Sequence, residues 1–266
     1  MKLKLSCAAL AAAGIALSGT AAFADTTIVY ANSEDGAIEN GKTEIANGKI
    51  RMSAPGGEGF AIFDSTNGQF IAINQDDRSY MVMGKEQVQK IADMQKQVMA
   101  QMEQQLAALP ASQRAQMKKM MSSMMPKMAG EAKPRSYERT GESRKIAGYD
   151  CEVIEVYAGD SKSSEQCVTT AKELDIPEED YAAVRGMMTF VQDLANSFGQ
   201  MSDGVLDFGE PGKDEIPVQY THYDPRMGTS TGQLKSVSHD DIDPLVFEIP
   251  DGYKEIEMPD MSDLGF

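Results

Sequence analysis

From Thr26 to Met83, apolar and polar residues alternate in short runs, the pattern of strands with one buried face. Asn47-Gly48 separates two such runs and is a strong two-residue hairpin signal, because both residues accept positive φ. Closing the chain there predicts that Ile45 opposes Ile50 and Thr43 opposes Met52. A second Asn-Gly, at 67–68, lies between Phe60-Ala61-Ile62-Phe63 and Phe70-Ile71-Ala72-Ile73, and the same closure would set Ile62 against Ile73. Ser79 to Met83 reads as a further strand, so the region is an antiparallel meander.

The period changes at Gly84. Ile91, Met94, Val98, Met102 and Leu106 form a helical stripe over 85–109 that Pro110 should end. Met117, Met120, Met121, Met124, Met125 and Met128 lie along one side of a second expected helix, which Pro126 should kink or end. The two predict a helical hairpin inserted at about 85–129. Strands are expected again at 135–140, 143–147 and 151–157, with a return at 166–169. A hairpin centred on Gly159 would place Cys151 directly opposite Cys167. Asp175 is expected to cap a third helix, with Glu178 reaching back to it and Tyr181, Val184, Met188, Val191, Ala195 and Phe198 buried. Candidate strands follow at 216–223, 231–239, 245–248 and 253–257. The order predicts an α+β fold with a large antiparallel sheet and helices against one face.

Composition adds a compartment. Met1-Lys2-Leu3-Lys4, the apolar run from Leu5 to Leu17 and Ala22-Phe23-Ala24 form a secretory signal pattern, with cleavage expected after Ala24 and a single domain over 25–266. Cys7 precedes the apolar run, so a lipid anchor is not expected. The mature chain keeps two of the three cysteines, and a Cys151–Cys167 disulfide fits an oxidising, periplasmic setting. The whole chain carries a net charge of −16, which disfavours nucleic acid as a partner. Against that background, Arg114, Lys118, Lys119, Lys127, Lys133, Arg135, Arg139, Arg144 and Lys145 crowd one window. Arg114, Lys118, Lys119 and Lys127 are candidates for contact with an anionic membrane surface; a merely solvated basic face is the alternative. The acidic segment 240–266 reads as solvated surface or tail.

Eleven of the 19 methionines fall between Met81 and Met128. Such a stripe is core filling, or an adaptable apolar groove for a hydrophobic ligand or acyl chain, or a soft copper(I) site. The groove reading names Met94, Val98, Met102, Met117, Met120, Met121, Met124, Met125 and Met128 as ligand-binding; the copper reading, or a structural module without ligand, are the alternatives. Catalysis has little support. His222 and His239 are the only histidines, and adjacent Ser238-His239-Asp240 would alternate faces on a strand. No enzymatic activity, cofactor or resident metal is expected.

Lys49-Ile50-Arg51-Met52, Ala61-Ile62-Phe63-Asp64, Ser79 to Met83, Ile146-Ala147-Gly148-Tyr149-Asp150-Cys151-Glu152-Val153 and Phe247-Glu248-Ile249-Pro250-Asp251-Gly252-Tyr253-Lys254, as an ordered set, resemble an uncharacterised exported bacterial domain family. That family is similar to the periplasmic lipoprotein carriers of the LolA/LolB type. The resemblance implies a strongly curved antiparallel half-barrel, with the helical hairpin and third helix covering its concave face and a cavity for acyl chains between. The chain departs from those carriers in its longer Met-rich insertion and in lacking a recognisable cavity arginine, so lipoprotein transport itself does not follow.

Overall fold

The computed structural model describes residues 25–34, 37–53, 56–57, 59–108, 110, 113–114, 135–198, 214–224 and 228–257. Among these, twelve strands form one open sheet. They are β1 (Thr26–Glu34), β2 (Ala37–Ala46), β3 (Lys49–Ser53), β4 (Gly59–Asp64), β5 (Gln69–Asn74), β6 (Ser79–Met83), β7 (Arg135–Ile146), β8 (Tyr149–Ala158), β9 (Ser161–Thr170), β10 (Glu215–Asp224), β11 (Gly228–Ser238) and β12 (Lys254–Glu255). Their order across the sheet is β12-β6-β5-β4-β3-β2-β1-β11-β10-β9-β8-β7. Of these pairings the short β12–β6 contact is parallel and the rest are antiparallel.

The Asn47-Gly48 turn closes as its sequence dictates. Both residues have positive φ, 52° and 73°, and Ile45 pairs with Ile50 and Thr43 with Met52. The second Asn-Gly behaves differently. Asp64 accepts hydrogen bonds from the backbone N–H groups of Thr66 and Asn67, so four residues, not two, make the loop. Ile62 therefore opposes Ile71, and Ile73 opposes Phe60. The slip is two residues, so each side chain keeps its expected face.

Two expected strands near 135–147 are one strand, with a register shift between Arg139 and Ser143. Gly141 takes φ +73° inside that bulge, and the Thr140 hydroxyl accepts a hydrogen bond from the N–H of Glu142. The hairpin from β8 to β9 also departs from expectation. Val153, not Cys151, opposes Cys167: the turn is the two residues Gly159-Asp160, which moves the register by one, and a shift between Val156 and Tyr157 moves it by one more. The disulfide forms nonetheless, across a diagonal pair whose Cα atoms are 5.4 Å apart.

Helix α1 (Lys85–Ala108) stops two residues before Pro110, and α2 (Glu178–Phe198) is the expected third helix. The expected second helix, from Met117 to Met128, lies outside the described residues, as does the signal segment 1–24. Asp175 does not cap α2. It sits in a left-handed turn at φ +54°, and the first helical hydrogen bond runs from the N–H of Tyr181 to the carbonyl of Pro177. Glu178 pairs instead with Arg185, two turns along the same helix. The buried face of α2 is also rotated from the expected stripe, through Tyr181, Ala183, Met187 and Phe190. Val184, Met188 and Val191 are half-buried, and the side chains of Ala195 and Phe198 lie outside the described set.

The rotation has a cause in the sheet. Phe190 is seated between Phe63 and Phe70, at ring centroid distances of 5.8 and 6.4 Å. These rings join Ile45, Ile50 and Val88 of α1 in the main core. The opposite face of β4 and β5 is covered separately, by Phe60, Ile62 and Ile73 packed with Tyr80 and Tyr253. The segment after β11 is thus more than solvated tail. Pro244–Phe247 is a 3-10 helix in place of the expected strand, started by Asp243 accepting from the N–H of Leu245, and Phe247 is buried. Proline at its first position and the Asp cap both favour a helical turn over a strand.

Candidate functional site

Pairing brings Met52, Ala61, Ala72 and Met81 into one cross-strand row over β3 to β6. The adjoining row is Ile50, Phe63, Phe70 and Met83, on the same face, and α2 covers it through Phe190. Among the described residues the first row lines an open cleft, with Met52 also touching the main core. Two alanines occupy its centre, so the floor dips between the methionines, and Ile256 beyond β12 forms one wall. The result is a cleft of about 470 Å³, whose remaining lining includes Gly59, Asn74 and Ser79. Ala72 is exposed and Ile256 is 49% exposed, so the cleft is open to its surroundings on this side.

Among the described residues, no Lys, Arg, His, Asp or Glu lines this cleft. Tyr80 is the titratable residue of the lining; its ring packs on the opposite face with Phe60 and Ile73, and its hydroxyl meets Glu255 at 3.4 Å. Partial desolvation and then that carboxylate push the Tyr80 phenol up, so it stays neutral at ordinary pH. The described lining therefore offers mainly apolar contact.

None of the sequence-predicted site residues is among the described lining of this cleft. Met94 and Leu106 of α1 are half-buried, whereas the side chains of Val98 and Met102 lie outside the described set. Met117, Met120, Met121, Met124, Met125, Met128, Lys118, Lys119 and Lys127 lie outside the described residues entirely. Arg114 donates to the carbonyls of Leu106 and Ala107 and so closes the end of α1. Arg139 binds Glu152 and Glu215, Arg144 binds Glu142 and Glu165, and Lys145 binds Asp150. Lys162 joins this network through Glu155 and Glu165, and holds both carboxyls below their usual range. Three of the nine residues of the basic window, Arg139, Arg144 and Lys145, are thus matched by nearby acids. His222 lies on β10, whereas His239 falls just past the end of β11. Among the described residues, no group of three His, Cys, Asp or Glu side chains could hold a metal ion. No described helix is long and apolar enough to cross a membrane.

What sequence reasoning missed is the floor itself. Ala61 and Ala72 were legible as strand residues, and alternation gave their face. Their pairing depended on the longer Asp64 loop, which the Asn-Gly signal concealed.

The model of one domain of unknown function, DUF4412, matches residues 62–253, and so spans most of the sheet. The chain belongs to the DUF4412 family. This agrees with the uncharacterised family indicated by the ordered motifs. No curated protein matches the chain. Several solved structures resemble it faintly. An uncharacterised conserved protein from Thermus thermophilus does so at TM-score 0.43 and 6% identity, over 89% of this chain and 92% of that one. The MucA/MucB complex of Pseudomonas aeruginosa gives 0.33 and 8%, over 80% of this chain and 51% of the other. A LolA superfamily protein from Nitrosomonas europaea gives 0.26 and 7%, over 85% and 90%. A LolA-type structure is thus among those found, as the motifs indicated, but likeness this weak carries no argument about ligand.

Proposed function

We propose that this DUF4412 chain is a carrier-type binding protein of the periplasm that shelters a hydrophobic or lipid-like ligand against its sheet. The row of Met52, Ala61, Ala72 and Met81, open among the described residues, supports this reading, since small residues between flexible thioethers leave an adaptable apolar recess. In the proposal the sheet bends around the ligand, and Met94, Val98, Met102 and Met117 to Met128 roof it. Arg114, Lys118, Lys119 and Lys127 stand by for an anionic membrane surface, although Arg114 already serves α1. The disulfide and the leader pattern both fit an exported compartment.

Native mass spectrometry of the protein purified without detergent, with uptake of a fluorescent fatty acid, tests the proposal. Ala72→Trp fills the recess at an exposed position and is expected to weaken uptake roughly tenfold or more, the equivalent of displacing about two methylenes. The melting temperature should hardly move, because Ala72 is not in the core. An empty wild-type protein that also takes up no probe would overturn the reading.

A further inference from the structure

The start of β1 holds a buried carboxyl that the carrier reading does not use. Asp180, in the first turn of α2, is 5% exposed, and Oδ2 accepts a 2.6 Å hydrogen bond from Oγ1 of the fully buried Thr26. Its neighbour Asp25 is anchored too, accepting a 2.7 Å bond from the N–H of Ile242. The register that sets Thr27 against Ser238 brings His239 alongside Thr26, and its buried Nδ1 has no hydrogen-bond partner. Burial raises the Asp180 carboxyl, and Asp25 and Glu179 add to this; the Thr26 bond and His239 oppose it. A carboxylate so placed is costly unless a cation approaches.

We propose that cleavage after Ala24 supplies that cation: the new α-ammonium group of Asp25 faces Asp180 and stabilises the mature fold relative to its precursor. The inference rests on the Ala22-Phe23-Ala24 cleavage pattern. Hydrolysis of the Ala24–Asp25 amide consumes one water, leaves a carboxylate on Ala24 and frees the Asp25 amine. That amine takes up a proton below about pH 7.7–8.0, the ordinary range of an α-amino group. Consecutive Cα atoms lie about 3.8 Å apart, so the Asp25 nitrogen is held within charge–charge range of the group bound to Thr26. Before cleavage the same nitrogen is an uncharged amide. The fold would then register removal of its own leader.

The test compares the exported protein with the same protein carrying Gly-Ser-Gly-Ser between Ala24 and Asp25. Processing after Ala24, checked by N-terminal sequencing, leaves that insert in place and moves the ammonium away. The inserted form should melt about 2–4 °C lower at pH 7. Its Asp180 keeps a folded pKa above the unfolded one, so its stabilising contribution exists at low pH and is lost as pH rises through that range. The gap between the two proteins should therefore close in acid and open towards neutrality. It should also vanish when both carry Asp180→Asn, which removes the charge while keeping a hydrogen-bond acceptor for Thr26. Cleavage at another bond overturns the leader reading and the inference with it. Correct cleavage with equal melting at pH 7, or with a gap that survives Asp180→Asn, overturns the inference alone.

Discussion

Phe190→Ala is expected to destabilise the protein by about 3–5 kcal/mol, the range for removing a large ring from a packed core. For a chain of this size that is a fall in melting temperature on the order of 10 °C. Phe190 is 7% exposed and its ring touches two others, Phe63 from β4 and Phe70 from β5. Both belong to the row beside the open cleft. Truncation therefore leaves a void that neighbouring strands cannot easily fill, since the sheet fixes the spacing of the two partner rings. Met188→Ala, two residues earlier on the half-buried flank of the same helix, should cost no more than about 1 kcal/mol. Chemical denaturation of both variants decides between the observed helix face and the one that includes Met188. Similar losses in the two would mean that Phe190 does not anchor α2.

That contrast also shows where the sequence was legible and where it was not. The pairing around Asn47-Gly48 followed from alternation and turn chemistry alone, because a two-residue turn with two positive φ residues leaves one register. The Asn67-Gly68 signal failed because Asp64, three residues earlier, organises the loop through its side chain. The α2 face was legible only in part, through Tyr181, Val184 and Val191, and for a different reason. Several helical stripes pass through 181–198, and the selection among them was made by aromatic partners more than 100 residues away in the chain. The candidate cleft was hidden by the same kind of remote pairing, since Ala61 and Ala72 look unremarkable until they meet. Local physics dictated the elements; contacts between distant elements fixed the register, rotation and site.

Loss of the disulfide is the other large effect. Cys151 and Cys167 lie 16 residues apart in sequence, so the bridge closes a short loop and is expected to contribute about 3 kcal/mol by restricting the unfolded chain. Both residues are also buried, at 5% and 1% exposure, within the main core. Two physical terms can therefore be separated. Replacing both with Ala removes the bridge while keeping the site apolar; replacing both with Ser removes it and buries two hydroxyls besides. The Ser pair should be less stable than the Ala pair by about 1–3 kcal/mol for each hydroxyl left without a partner. Urea unfolding of wild type with and without reductant, alongside the two variants, checks the argument. Reductant should lower the wild-type midpoint and leave both variants unmoved. The dependence of stability on urea should also steepen once the bridge is gone, because a chain freed of its loop exposes more surface on unfolding. An unchanged slope with a lowered midpoint would place the effect in the folded core, where Cys151 and Val153 pack, instead of in the unfolded ensemble.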